Sequence, residues 1–184
     1  MKPNHLAIIG GILAIVSLAL PWWTMSVSFT NRTGTPIDVS VYPYSVQVNG
    51  KPVNLSVQEL MFGWAALAFT VIGGVAGIIA GVKPGSRRMK GYYGRRFNIG
   101  ILGLLSVILF AVVLQSELDG TLGLSSVMLF GSGQLYFTEY GINANANYFS
   151  YLSFGFWLAL AAAITLFFAF RNKPAENAVV PRQT

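Results

Sequence analysis

The chain has 184 residues, of which 54% are hydrophobic and 10% charged, whereas globular proteins average about 25% charged residues. This length predicts one domain, and this composition excludes an ordinary water-soluble surface. The absence of cysteine excludes disulfides and cysteine-ligated metals, and the single histidine, His5, excludes a multi-histidine metal site, so we expect no cofactor.

The first apolar run, residues 6–23, carries no charged side chain and ends with a proline and two tryptophans. Its length is about enough to cross a hydrocarbon core of roughly 30 Å at about 1.5 Å per residue. An alternative interpretation is a cleaved signal peptide, with Lys2 at its start and small residues at 17–19 as the cleavage site. The sequence after such a cut makes a poor mature start, so we predict a retained transmembrane helix.

Residues 24–59 form the first outer segment, in which apolar and polar side chains alternate. A period of two with β-branched residues predicts strands, and Asn49-Gly50 is a favoured two-residue hairpin turn. We expect three or four short antiparallel strands in this segment. Two sequons in the same segment give the candidate glycosylation sites Asn31 and Asn54.

Three further apolar runs follow, at residues 60–82, 99–116 and 148–170, and none contains Asp, Glu, Lys or Arg. Small residues recur at four-residue spacing in two of these runs, which places them on one helix face. Such faces let membrane helices approach closely, so we predict helix packing through them, within the chain or with another chain. The packing candidates are Gly73, Gly77, Gly81, Gly155, Ala159 and Ala163.

Residues 83–98, between the second and third runs, contain six basic residues and no acidic one. Short loops rich in Lys and Arg stay on the cytoplasmic side, which also places the tail at residues 171–184 and both termini inside. Bases beside an anionic leaflet also bind acidic headgroups, each worth about 1 kcal/mol. The candidates for headgroup binding are Arg87, Arg88, Lys90, Arg95 and Arg96.

Residues 117–147 form the second outer segment, in which strand-favouring stretches flank Gly131-Ser132-Gly133 and predict a second hairpin. Its apolar side is expected to pack on the first sheet. The predicted fold is therefore a mainly α membrane protein of one domain. It consists of a four-helix transmembrane bundle with a small antiparallel β-sheet formed by the two extracytoplasmic segments.

The predicted layout resembles that of the claudin-like tetraspan proteins. It has four spans, cytoplasmic termini and a larger, strand-rich first outer segment that follows Trp22-Trp23 in the chain. That family carries a Gly-Leu-Trp motif and a cysteine pair in its first outer segment, and both are absent here. The resemblance implies a tetraspan membrane fold, and no functional residue is carried over from it.

The sequence contains few residues that could form a catalytic site. Glu117 and Asp119 are interpreted as loop acids, and His5 lies across the predicted membrane from the outer acids, so a catalytic triad is excluded. We expect a non-enzymatic, multi-pass protein of the cell membrane. It would act as an accessory, scaffold or cell-envelope interaction subunit through its glycine-rich helix faces and its β-rich outer region.

Two other functions stay open at this point: a small oligomeric channel or facilitator for an uncharged solute, and a membrane enzyme. The expected partners are anionic lipid headgroups on the cytoplasmic side and further membrane proteins in a homo- or hetero-oligomer. Nucleic acid is not expected, because the net charge of +6 arises from bases at segment ends and in one loop.

Overall fold

The computed structural model describes residues 3–29, 35–53, 57–83, 99–120, 127–139 and 142–171. Within these ranges the chain forms four helices and six strands. The helices are α1 (His5–Ser17), α2 (Val57–Val82), α3 (Ile99–Gly120) and α4 (Phe154–Arg171). The strands are β1 (Trp23–Phe29), β2 (Ile37–Tyr42), β3 (Ser45–Val48), β4 (Lys51–Val53), β5 (Gly131–Glu139) and β6 (Ile142–Leu152).

All described strands belong to one antiparallel sheet with the order β4-β3-β2-β1-β6-β5. β1 lies at its centre, so Trp23 is opposite Val41 of β2 on one side and Leu152 of β6 on the other. The two outer segments therefore build a single sheet, joined through β1 and β6.

Alternating side chains explain why β1 is a strand. Trp23, Met25 and Val27 are buried, whereas Ser28 is exposed. Side chains of successive strand residues point to opposite faces, so the period of two puts the apolar ones on one side. That buried side joins the helices in one apolar cluster with Phe110.

The predicted turn at Asn49-Gly50 is present and joins β3 to β4. Both residues have positive φ angles, 50° for Asn49 and 75° for Gly50, which a type I′ hairpin turn requires. The Asn49 side chain reinforces the turn, because its Oδ1 accepts a hydrogen bond from the Asp38 backbone N–H at 2.8 Å.

The helices pack in a ring, in which α1 and α3 each contact both α2 and α4. Asn4 caps α1, since its Oδ1 accepts from the Ala7 backbone N–H. Asn4 also donates from its backbone N–H to the Gly81 carbonyl at 2.9 Å and from Nδ2 to the Ala169 carbonyl at 3.1 Å. The start of α1 is thus tied to the far ends of α2 and α4.

The predicted four-helix transmembrane bundle with a small sheet is wrong. Of the described helices, α2 and α3 are long and apolar enough to cross a membrane, over Gly63–Val82 and Ile99–Leu118. These two helices suggest membrane association, by length and composition. α1 and α4 are shorter apolar helices, and the sheet is the larger, continuous one described above.

The ends of the first and fourth runs explain the error. α1 stops at Ser17 in a tight turn, since the Leu20 backbone N–H donates to the Ser17 carbonyl, and Pro21 has no N–H with which to continue a helix. Residues 148–152 were predicted as the start of a span and instead belong to β6. Tyr148 is buried and Phe149 exposed there, a period of two that an apolar composition alone does not reveal.

Candidate recognition surface

The side of the sheet turned away from the helices is called the outward face here. The register places Thr24 between Ser40 and Tyr151, and Ser26 between Asp38 and Phe149. The same alternation continues on the outer strands. The described side chains of the outward face are those of Thr24, Ser26, Ser28, Asp38, Ser40, Tyr42, Ser45, Gln47, Pro52, Ser132, Gln134, Tyr136, Asn145, Asn147, Phe149 and Tyr151.

Three aromatic rings stand exposed among these short polar side chains. Tyr136 is 71% exposed and Phe149 55%, and Tyr151 lies beside Phe149 with their ring centroids 5.6 Å apart. The Tyr136 hydroxyl donates to Oε1 of Gln134 at 2.7 Å, which restrains that ring. Large rigid rings beside serine, asparagine and glutamine combine contact area with adaptable hydrogen bonding.

Charge is almost absent from the outward face. Asp38 is the one charged residue among those named above, and none is lysine or arginine. The described part of the face is therefore nearly neutral.

The predicted packing residues of α2 face three neighbouring helices. A Cβ on Gly81 would lie 2.9 Å from the Asn4 carbonyl oxygen, and one on Gly77 3.2 Å from the Ala7 carbonyl oxygen, so both glycines lie against the α1 backbone. The Gly77 Cβ would also meet Leu166 Cδ2 of α4 at 2.6 Å, and Gly73 faces α3, where a Cβ would meet Ile99 at 3.9 Å. The predicted single face is thus divided among three helices of the same chain.

The residue that completes the α1 contact is Gly74, which the four-residue spacing missed. A Cβ on Gly11 would lie 2.5 Å from the Gly74 carbonyl oxygen, which shows how closely the two backbones approach. Gly74, Gly77 and Gly81 follow spacings of three and four, the spacing of one helix stripe. This spacing, which is visible in the sequence, could have identified Gly74 as a packing residue.

The predicted packing residues of α4 also contact their own chain. Gly155 lies against the corner before β1, where its backbone N–H donates to the Pro21 carbonyl at 3.0 Å. Ala163 faces Gly103 of α3, and Ala159 is buried in the apolar cluster at the junction with the sheet. These three small residues therefore serve packing within the molecule.

Buried hydroxyls are used in contacts between helices. Ser106 Oγ of α3 donates to the Ala66 carbonyl of α2 at 2.6 Å and lies 2.7 Å from Thr70 Oγ1. Ser17 Oγ donates to the Ala14 carbonyl of its own helix. These buried hydroxyls are therefore all hydrogen-bonded, and among the described helices they do not form a continuous row of unpaired hydroxyls.

Other predicted residues lie outside the described residues. They are the headgroup candidates Arg87, Arg88, Lys90, Arg95 and Arg96 and the glycosylation candidates Asn31 and Asn54. Within the described ranges, no group of three or more His, Cys, Asp and Glu residues could hold a metal ion.

No known family model matches the chain, and no curated protein matches its sequence significantly. The claudin-like layout therefore stays a prediction, and the function has to be argued from the geometry.

Proposed function

We propose that this chain is a non-enzymatic, multi-pass membrane protein that binds a partner protein through the outward face of its sheet. The observation that carries the proposal is the neutral, hydroxyl- and amide-rich outward face with its three exposed rings. Such a composition is typical of surfaces that bind proteins by rigid aromatic anchors and adaptable polar contacts. The protein would act as an accessory or scaffold subunit of a larger membrane assembly.

The glycine faces are less suited to partner binding than the sequence suggested. Gly77, Gly81 and Gly155 each lie against backbone of the same chain, so they are not open to a second protein. The helices instead present large apolar side chains outward, such as Ile72 and Ile108. Lipid would cover these side chains, and recognition is left to the sheet.

In the proposed topology, α2 and α3 cross the membrane and the basic loop between them is cytoplasmic. The hydrogen bonds of Asn4 hold the start of α1 and the end of α4 beside Gly81, near the point where that loop begins. Both termini therefore belong on the side of the basic loop, and the sheet belongs on the other side.

Labelling of engineered cysteines tests this topology, because the natural chain has none. A membrane-impermeant maleimide should modify Tyr136→Cys on intact cells and Tyr93→Cys only after permeabilisation. Labelling of Tyr93→Cys from outside intact cells would mean that the orientation is inverted.

Partner binding is tested by extraction in a mild detergent followed by measurement of the native mass of the complex. We expect the double variant Tyr136→Ser, Phe149→Ser to lose bound protein, because both rings leave the outward face. The control is Val53→Ser, which removes an exposed apolar side chain from the edge strand β4. A natural protein that migrates alone, or an unchanged double variant, contradicts the proposal.

The alternative of a channel or facilitator has no observation in its favour. The buried hydroxyls of the described helices, those of Ser17, Thr70 and Ser106, are hydrogen-bonded between or within helices. A water-filled path would need such groups to face a common lumen. Flux in proteoliposomes is expected to equal that of empty vesicles.

A further inference from the structure

Two of the four tryptophans are exposed on the helices. Trp64 of α2 is 54% exposed and Trp157 of α4 is 52% exposed, whereas Trp22 and Trp23 are buried. Exposed tryptophan in membrane proteins concentrates at the boundary between hydrocarbon and water. The question is whether these two rings lie at one level.

Contacts between α2 and α3 determine the level of Trp64, which means its position along the axis of the helix bundle. α3 runs antiparallel to α2, and Ser106 Oγ bonds to the carbonyl oxygen of Ala66. Trp64 lies two residues before Ala66, so it is level with Ile108, two residues after Ser106.

The same helix fixes the level of Trp157. α3 also runs antiparallel to α4, where Phe110 and Phe156 pack with ring centroids 6.5 Å apart. Trp157 follows Phe156 and is therefore level with residue 109 of α3. The two indoles lie about one residue apart along the bundle, or about 1.5 Å. Because α2 and α4 occupy opposite corners of the ring, the indoles mark one plane on both sides of the molecule.

The polarity of the exposed side chains changes near this plane. On the side away from the sheet, the exposed side chains of α2 are all apolar up to Val82: Ala68, Val71, Ile72, Val75, Ile79 and Val82. On the sheet side, apolar side chains stay exposed for about one more turn, at Val112 and Phe154, and α3 then exposes Ser116 about two turns beyond residue 109. An apolar surface that ends within about two turns of a pair of exposed indoles is the pattern a bilayer boundary produces.

The other end of the apolar helix surface lies about one hydrocarbon thickness away from the two indoles. Val82 is 18 residues beyond Trp64 on α2, and Lys83 follows it. At about 1.5 Å per residue this separation is about 27 Å, close to the roughly 30 Å thickness of a hydrocarbon core. Asn4 and Ala169 are hydrogen-bonded at that same end.

We infer that Trp64 and Trp157 anchor the protein in the outer interfacial layer of a phospholipid bilayer, with the whole sheet outside it. The inference rests on the membrane embedding proposed above and adds the depth of the protein. The Trp157 Nε1 donates to the Leu152 carbonyl at the end of β6 at 3.1 Å, so this anchor also positions the sheet above the lipid. Phe154, one turn nearer the sheet, is exposed beside it.

Fluorescence quenching in reconstituted vesicles tests the inference. The full chain is placed in phosphatidylcholine vesicles that carry bromine either near the headgroup or near the bilayer centre. Trp64→Phe and Trp157→Phe each leave one exposed indole, and the double variant leaves the buried Trp22 and Trp23 as an internal reference. We expect each single variant to be quenched more by the shallow bromines, at depths that agree within about one helix turn, ~5 Å.

The double variant should lose most of the quenching, because its remaining indoles are shielded by protein. Stronger quenching by the deep bromines, or depths that differ by more than one turn, overturns the anchor plane and leaves membrane embedding intact. No quenching of any variant at either depth overturns the embedding itself. Circular dichroism of each variant verifies that the fold is retained.

Discussion

Trp22 is the residue at which the helices and the sheet meet. Its ring is fully buried, with the Phe110 ring centroid 5.0 Å and the Phe156 ring centroid 6.3 Å away in edge-on contacts. Its Nε1 donates to the Ser17 carbonyl at 3.0 Å, and its backbone N–H donates to the Val41 carbonyl at 2.8 Å. One residue thus joins the end of α1, two other helices and β2, the last through its backbone.

Tryptophans at the end of an apolar run, such as Trp22 and Trp23, are typical of a membrane interface, where the N–H group faces water. The structure buries both rings and bonds both N–H groups to protein carbonyls, those of Ser17 and Leu129. Interfacial preference gives the depth of an indole, but the direction of the ring depends on neighbours distant in sequence. Trp64 lies within the second apolar run, and its exposure could not be predicted from the sequence around it.

At Trp22 we expect the largest loss of stability from a single truncation. Trp22→Ala removes a buried aromatic and should lower the free energy of unfolding by about 3–5 kcal/mol. Trp22→Phe should cost less, because it mainly loses the hydrogen bond to Ser17, worth about 1 kcal/mol. Thermal unfolding in detergent measures both. Trp64→Phe is the matched control and should change little, and equal losses at the two positions would contradict the assigned roles.

Among the elements, the contact of α1 with α2 shows what sequence patterns can and cannot determine. Glycine spacing predicted helix packing through Gly73, Gly77 and Gly81, whereas the residues of α2 that lie against α1 are Gly74, Gly77 and Gly81. A helix advances 100° per residue, so neighbouring glycines face different helices, and the choice depends on where α1 and α3 lie. The strands of the first outer segment were predictable from alternation, whereas β6 and its pairing with β1, more than 110 residues away, were not.

Two alanine substitutions on α2 distinguish a glycine that packs against α1 from one that faces α3. In Gly81→Ala the new Cβ would lie 2.9 Å from both the Asn4 carbonyl oxygen and the Ile8 backbone nitrogen, which cannot move aside easily. We expect a loss of about 1–3 kcal/mol, as for other overpacked sites. Gly73→Ala meets its nearest neighbour at 3.9 Å and should be neutral or gain up to about 1 kcal/mol of helix stability. Thermal unfolding should rank them in this order, and the reverse ranking would refute the assignment of faces.

The β3–β4 hairpin allows a graded test of turn chemistry. Asn49→Gly keeps the positive φ accessible but loses the side-chain acceptor for the Asp38 N–H, a loss of about 1 kcal/mol. Asn49→Ala loses the acceptor and also adds the strain of a left-handed L residue, about 1–2 kcal/mol more. Hydrogen exchange at β3 should rise from natural protein to glycine to alanine variant. Equal exchange in the two variants would show that the backbone angle contributes nothing.

At the scale of the whole molecule, one apolar cluster crosses from the helices into the sheet. It includes Trp23 and Tyr148 from strands and Phe110, Leu118 and Phe156 from helices. The two parts therefore share a core, although the sequence suggested a membrane bundle with a small attachment. Composition could not show this, because α3 continues past its predicted end at residue 116 and buries Leu118.

A shared core predicts that the sheet and the helices unfold together. In the Trp64→Phe, Trp157→Phe double variant, tryptophan emission reports on the junction through Trp22 and Trp23 alone. This emission and far-ultraviolet circular dichroism, which reports on the helices, should give coincident thermal transitions. In Trp22→Ala the two transitions should separate, because the main link is removed. Separate transitions in the natural protein would show that the sheet is an independent unit.

The place of α1 between α2 and α4 also bears on whether the chain can be processed. A peptidase cut after residue 19 would release the segment whose backbone fills the groove at Gly74, Gly77 and Gly81. The vacated groove would expose three glycines and the uncapped carbonyls of Gly81 and Ala169 that Asn4 now satisfies. Removal of α1 would thus leave α2 and α4 without the backbone that now packs between them.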